Sequence, residues 1–321
     1  MIRVRRAGLA GVTDLGRPGL ARQGIPAGGA ADQYSAAVAN ILVGNAENAP
    51  LIEVTASDFA FTTDQAAFLA VTGAPVTVTA GGSVRRTWDP LCVGADEPVE
   101  LTGLSGGLRA YVAVNGDWRV DRTLGSCAAA PELGVRTWLR AGATIDVRDG
   151  YRPDRHPVFV LGAHRPRFPD PLAIDITAGP DADESVAAAL TTATYVVKSE
   201  SDDVGVRLDG PAPSGVARTD LLSKGVPAGA VELPPGDELL VLRRSHPITA
   251  GYAVIAVVTR AGLSTLGQAR PGHRLRFRLR TLEEAVADRR RQRQALDDLT
   301  RRAHTAFTSV GVPVRAARRT S

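Results

Sequence analysis

Arg109-Ala-Tyr-Val-Ala-Val114 and Tyr252-Ala-Val-Ile-Ala-Val-Val258 are the two runs that decide the fold class. Each is a short string rich in β-branched, aromatic and small apolar residues, too short for an ordinary helix. Similar runs surround them: Ala67-Phe-Leu-Ala-Val-Thr72, Val76-Thr-Val-Thr79, Val99-Glu-Leu-Thr102, Thr194-Tyr-Val-Val197, Leu239-Leu-Val-Leu242 and Leu275-Arg-Phe-Arg-Leu279. Strands broken by glycine and proline, with few helices between them, predict a mainly β protein of barrels or sandwiches rather than βαβ repeats. A faint internal echo supports two related β domains. Tyr111-Val-Ala-Val returns 141 residues later at Tyr252, and Arg140-Ala-Gly-Ala-Thr-Ile-Asp-Val returns 130 later as Arg270-Pro-Gly-His-Arg-Leu-Arg-Phe.

The 321 residues suit two domains. The expected division is a first β domain over 1–151, a linker over 152–171, a second β domain over 172–280, and a helix with a basic tail over 281–321. Five prolines (153, 157, 166, 169, 171) mark the linker. Three helices are predicted. One covers Ala30–Leu42, with Tyr34, Val38, Ile41 and Leu42 on one face and Gly44 as its stop. A second follows Asp181, boxed by Glu184. The third starts at Thr281, boxed by Glu284, with Leu282, Val286, Leu296, Leu299, Ala303 and Phe307 near one stripe.

Composition excludes several classes. Apolar residues make up 44% and charged residues 22% of the chain, a globular balance. No run approaches the ~18 apolar residues of a membrane helix. Two cysteines, Cys92 and Cys127, rule out a disulfide scaffold and fit a reducing cytoplasm. The five histidines never recur at i,i+4, so no metal motif is visible. From Thr281 onward nine arginines face five acids, which accounts for the whole net charge of +4. The body therefore carries no basic excess for nucleic acid, and Arg289-Arg-Arg-Gln-Arg293 reads as a solvated or docking helix.

Gly103-Leu-Ser-Gly-Gly107 matches the G-x-S-x-G nucleophile elbow in form, but a strand follows where that elbow needs a helix, and it reads as a β-hairpin turn. The segment Asp14–Asp32 sets Asp14, Arg17, Arg22 and Asp32 among seven glycines and prolines. Such a loop brings backbone N–H groups and guanidinium forks to an anion, and equally describes a surface loop with one ion pair. Asn40, Asn45 and Glu53 come next; Glu53 lies inside Leu51-Ile-Glu-Val-Thr55 and needs a partner, a shifted pKa or a solvent-facing position. Later turns carry Arg207, Ser223, Lys224, His246 and Thr249, which could line a pocket.

These segments resemble one family in order across residues 10–280. Thr13-Asp-Leu-Gly-Arg-Pro-Gly19, Gly24-Ile-Pro-Ala-Gly-Gly-Ala-Ala-Asp32, Ala39-Asn-Ile-Leu-Val-Gly-Asn45 and Ile52-Glu-Val-Thr55 look like the opening of KipA-type proteins. That family includes the C-type subunit of 5-oxoprolinase, allophanate hydrolase subunit 2 and the related half of the urea carboxylase carboxyltransferase domain. Ser201…Gly205-Val-Arg-Leu-Asp-Gly-Pro211, Ser223-Lys-Gly-Val-Pro-Ala-Gly229, Thr249-Ala-Gly-Tyr252 and Gln268-Ala-Arg-Pro-Gly272 continue the likeness.

The resemblance implies two tandem cyclophilin-like β-barrel domains. It also implies a cytoplasmic component of a 5-oxoprolinase or allophanate hydrolase-type enzyme, cleaving a non-peptide C–N bond in a small cyclic amide or ureido substrate. The expected partner is a B-type or KipI-like protein (allophanate hydrolase subunit 1), in a heterodimer or heterotetramer. ATP is implied for the complex and biotin by resemblance alone; no metal is implied. Asp14, Arg17, Asp32, Glu53 and His246 are the expected catalytic residues, and Asn40, Asn45, Arg207, Ser223, Lys224, Thr249 and Tyr252 the expected substrate-binding ones. The departures are Thr13 for Gln, Glu232 for Gln, Cys127 for Arg, and Ser245-His246 for Asp-Arg. They leave open a non-catalytic module that sequesters a KipI-like protein.

Overall fold

The structure is a computed structural model that describes residues 1–153, 159–216, 221–236 and 238–315. The chain divides into two compact units. One comprises 1–16, 33–167 and 294 onward; the other comprises 17–32 and 168–293. This division departs from the expected boundaries in two places: the Gly-rich loop joins the second unit, and the C-terminal helix is shared between the two.

In the first unit, two antiparallel sheets enclose one core. The first has seven strands in the order Asp117–Arg119, Thr144–Arg148, Ile2–Arg6, Phe59–Thr63, Val99–Thr102, Thr77–Ala80 and Ser83–Arg85. The second has five, in the order Ala10–Thr13, Leu51–Thr55, Arg109–Val114, Ala67–Gly73 and Pro90–Val93. Ile2, Val4, Phe59 and Phe61 from one sheet meet Ile52, Val54, Leu69 and Val112 from the other. Each such side chain fully withdrawn from water contributes roughly 1.5–3 kcal/mol.

In the second unit the sheet closes on itself. Its strands run Leu172–Ala178, Ala253–Val258, Ala230–Leu233, Glu238–Leu242, Gly205–Asp209, Tyr195–Val197 and Arg274–Leu279. The circle is completed by a parallel seam, with Leu172 opposite Leu275 and Ile176 opposite Leu279. Closure leaves no edge strand in the barrel, and a two-stranded ribbon, Lys224–Gly225 with Thr249–Ala250, lies outside it. Both repeated runs are strands: Arg109–Val114 lies at the centre of the five-stranded sheet and Ala253–Val258 in the barrel.

The helices correct the sequence reading in detail. Helix α1 spans Gln33–Leu42, starting three residues later than expected because Asp32 is held by Gln268. It does stop at Gly44, whose φ of +75° and 2.8 Å approach to the Pro313 carbonyl, measured from an ideal Cβ, exclude other residues. Helix α2 spans Glu184–Ala189 and is capped by Asp183, not Asp181; the Asp183 carboxylate accepts the Val186 N–H at 3.1 Å. Helix α3 is the short turn Gly262–Leu266, and helix α4 spans Leu282–Thr308.

The Thr281/Glu284 capping box forms as expected. The apolar stripe of α4 is real only in its second half, where Leu296, Leu299, Ala303 and Phe307 are buried; Leu282 is 69% exposed and Val286 40%. The Pro-rich stretch is no free linker in its described part: residues 159–167 belong to the first unit, and Phe168 packs against the core of the second. Phe159 stacks edge-on against Phe68 and Phe307, and Arg302 binds the Leu161 carbonyl. Residues 154–158, with Pro157 among them, lie outside the described residues. Nor is Gly103–Gly107 a hairpin turn: it carries the chain from one sheet of the first unit to the other, and no helix follows it. Among the described residues no helix is long and apolar enough to cross a membrane.

Candidate functional site

In the first unit Asp14 is the polar hub. It is 3% exposed, and its carboxylate accepts from Ser126 Oγ at 2.5 Å, from the Cys127 N–H at 2.9 Å and from the Gly16 N–H at 2.8 Å. Arg122 adds an ion pair at 3.4 Å. This acid anchors the 122–128 loop rather than waiting as a free base. Burial, reinforced by Asp14, pushes the Cys127 thiol far up, and burial lifts Cys92 to about 11, so neither is a nucleophile at neutral pH.

Asn40 and Asn45 are also committed. Asn40 Nδ2 donates to the carbonyls of Glu47 and Ala49; Asn45 Nδ2 donates to the Val114 carbonyl, and its Oδ1 accepts the Gly116 N–H. The two close the turn after α1, with their amide groups bonded to backbone and to each other. Asn115, unnoticed in the sequence, does the same work by donating to the Val43 carbonyl at 2.6 Å. Glu53 has found partners: Arg109 Nε at 3.2 Å and Tyr111 Oη at 2.8 Å, both from the neighbouring strand.

The second unit collects the rest. The Gly-rich loop is pinned by a reciprocal pair, Gly28 N–H to the Arg244 carbonyl and Arg244 Nε to the Gly28 carbonyl, at 3.0 and 2.8 Å. Gln268, fully buried, donates to Asp32 at 2.9 Å. The backbone at Ala31 passes so close to Gly267 that a Cβ there would lie 2.5 Å from it. Arg17 is 3% exposed and lies in this loop, with its N–H on the Ala27 carbonyl. Thus the early motif meets the 243–246 segment and the 262–268 turn inside one unit.

This meeting place is strongly basic. Burial, with Arg260 beside it, brings the Arg244 guanidinium down to about 10. Burial and then Arg289 lower Arg260 in the same direction. His246, 5% exposed, is held below its usual value mainly by burial and also by Arg244, despite the 2.6 Å contact of its Nδ1 with the Pro247 carbonyl.

Two further clusters lie elsewhere in this unit. Arg207 and Lys198 share the Glu238 carboxylate, at 2.5 and 3.0 Å, so Arg207 is an ion-pair partner on the barrel wall. Lys224 grips both oxygens of Asp181, which also accepts the Val254 N–H. Burial alone would raise Asp181, but these bonds hold it below its usual value. Near them Glu232 is 1% exposed, with Oε1 lacking any hydrogen-bond partner; burial raises it to about 7 against the opposing pull of Lys224. Ser223 and Thr249 are exposed along the ribbon and Tyr252 is 38% exposed just after it. Among the described residues no group of three His, Cys, Asp or Glu side chains is placed to hold a metal ion.

Known proteins place this arrangement. The family described as carboxyltransferase domain, subdomain A and B, matches residues 23–279. The C-type subunit of the Escherichia coli 5-oxoprolinase is 28% identical over 313 residues, covering 95% of this chain and 99% of that protein. A urea carboxylase of Emericella nidulans, itself named as putative, is 26% identical over 88% of this chain but only 24% of its own length. Among solved structures, TTHA0988 superposes with a TM-score of 0.78 at 28% identity, over 86% of this chain and 55% of that one. The Kluyveromyces lactis urea carboxylase superposes with a TM-score of 0.79 at 24% identity, over 93% of this chain and 29% of that one, a likeness of fold.

Proposed function

Because the chain belongs to the carboxyltransferase domain family of subdomains A and B, we propose that it is the C-type subunit of a heteromeric enzyme of the 5-oxoprolinase or allophanate hydrolase type. In this reading it hydrolyses a C–N bond of a small cyclic amide or ureido compound, consumes ATP, and needs a B-type or KipI-like partner for turnover. The observation that carries the reading is the end-to-end correspondence with a free-standing 5-oxoprolinase component, 99% of which is spanned, against 24% of the urea carboxylase.

The chemistry is consistent. A lactam carbonyl is a poor electrophile, and transfer of the terminal phosphoryl group of ATP to its oxygen activates the carbon. Water adds there, the ring nitrogen leaves protonated, and hydrolysis of the resulting acyl phosphate releases phosphate. The phosphoryl transfer is helped by cationic clamps rather than by a nucleophilic serine. The loop docked on Arg244, with Arg260 and Arg289 beyond it, supplies that kind of charge. Arg244 and Arg17 are the residues of this chain that would hold an anionic group there.

A second reading, a non-catalytic module that sequesters a KipI-like protein, draws on His246. Its ring is buried, kept neutral and bound through Nδ1 to the next residue's carbonyl. One experiment separates the two: the chain is purified with and without the product of the neighbouring partner gene, and ATP- and pyroglutamate-dependent phosphate release is measured. Turnover in the complex alone supports the enzyme. A tight complex without turnover on any lactam or ureido substrate supports the module.

A further inference from the structure

A cavity of about 280 Å³ opens in the first unit, next to the Asp14 and Asn45 networks through Arg122 and Gly116. A single water needs only ~10–15 Å³, and drug-sized ligands occupy pockets of about 300 Å³ and more. The space is that of a small metabolite. Ala49, Pro50 and Trp118 are among its apolar lining. Trp118 is 4% exposed and its indole N–H is already given to the Val114 carbonyl at 3.0 Å, so the ring is fixed and adds apolar lining rather than a donor.

Two arginines, Arg122 and Arg315, also line it. Arg122 reaches the cavity while committing one guanidinium nitrogen to Asp14 and the Gly125 carbonyl. Arg315 is anchored by its backbone N–H on the Gly44 carbonyl at 2.8 Å, and its guanidinium bonds the Asp149 carbonyl. A carbonyl satisfies a hydrogen bond without neutralising the charge. The Nε of Arg315 is buried and has no hydrogen-bond partner. The one acid in the wall, Asp117, is paired with Arg119 at 3.0 Å.

We propose that this cavity is a binding site for a small organic carboxylate, its charge taken by the Arg315 and Arg122 forks and its apolar body packed among Ala49, Pro50 and Trp118. Guanidinium forks match the two oxygens of a carboxylate, and the apolar wall excludes ligands that are charge alone. The site is independent of the activity proposed above.

Isothermal titration of the full chain with benzoate, its neutral isostere benzamide, and inorganic phosphate tests it. Benzoate is expected to bind, and benzamide and phosphate at least tenfold more weakly. Arg315→Gln, which leaves the Asp14 network untouched, and Ala49→Leu, which fills the space, are each expected to weaken benzoate at least tenfold without lowering the melting temperature. No heat with benzoate, equal binding of benzamide, preference for phosphate, or affinity unchanged in both variants overturns the assignment. None of these readouts depends on turnover or on a partner protein.

Discussion

At Glu232 a carboxyl is buried with one oxygen unsatisfied and titrates at about 7 instead of the ordinary 4.5. The unfolded chain loses this proton near pH 4.5, while the native chain keeps it to about pH 7. The native state therefore binds more protons between these values, and stability falls as pH rises through that window. The full loss is about 3 kcal/mol above pH 7. Glu232→Gln, which keeps the shape and removes the charge, is expected to flatten this slope and to leave the protein more stable at pH 8. Urea midpoints from pH 4.5 to 8 check it, and parallel profiles for the two proteins would refute the burial argument. Asp14 has the opposite logic, because its carboxylate is fully used. Asp14→Ala strands the Ser126 hydroxyl, the Cys127 N–H and the Arg122 charge, and is expected to cost about 3 kcal/mol or more in the same measurement. The sequence marked both acids for different reasons. It showed Asp14 among turn residues but held no sign of Ser126 or Cys127 as its partners, since they lie 112 and 113 positions away. Partners at that separation are set by strand pairing, which no local pattern encodes.

Among the elements, α4 shows what periodicity can and cannot tell. The spacing of Leu282, Val286, Leu296, Leu299, Ala303 and Phe307 defined one stripe, yet only the last four are covered. A helix pattern states which residues share a face; what covers that face depends on the rest of the chain. Phe307 is completely buried against Phe68 and Phe159, with centroids 5.5 and 5.1 Å away, so Phe307→Ala is expected to cost about 3–5 kcal/mol. Leu282→Ala, at a 69% exposed position on the same stripe, is expected to change stability by less than about 0.5 kcal/mol. Thermal unfolding of the two variants tests this; similar losses would mean that the first turns of α4 are covered too. The capping box at Thr281, the stop at Gly44 and the strands Arg109–Val114 and Ala253–Val258 are all legible, because each is decided within a few residues. The Asp183 cap was misplaced by two positions because Asp181, an equally good cap by type, is taken by Lys224.

For the whole molecule, the division at 16/17, 32/33, 167/168 and 293/294 means that neither unit is a continuous stretch of chain. A two-domain reading from composition places boundaries where proline and glycine collect, and so keeps the early Gly-rich loop with the first domain. Contacts assign it to the second, where Gly28 satisfies Arg244 and Asp32 satisfies Gln268. Those two side chains are 8% and 0% exposed, so removing the loop leaves buried donors unmatched at about 1–3 kcal/mol each. A fragment of residues 168–293 expressed alone is therefore expected to be several kcal/mol weaker than the same fragment supplied with a synthetic peptide of residues 17–32. The peptide is expected to raise its urea midpoint saturably, and Gln268→Leu to blunt the gain. Folding only in the presence of the peptide would be the extreme form of the same result. A fragment that folds alone with a midpoint indifferent to the peptide would return the loop to the first unit, and with it the assembly of the basic cluster around Arg244.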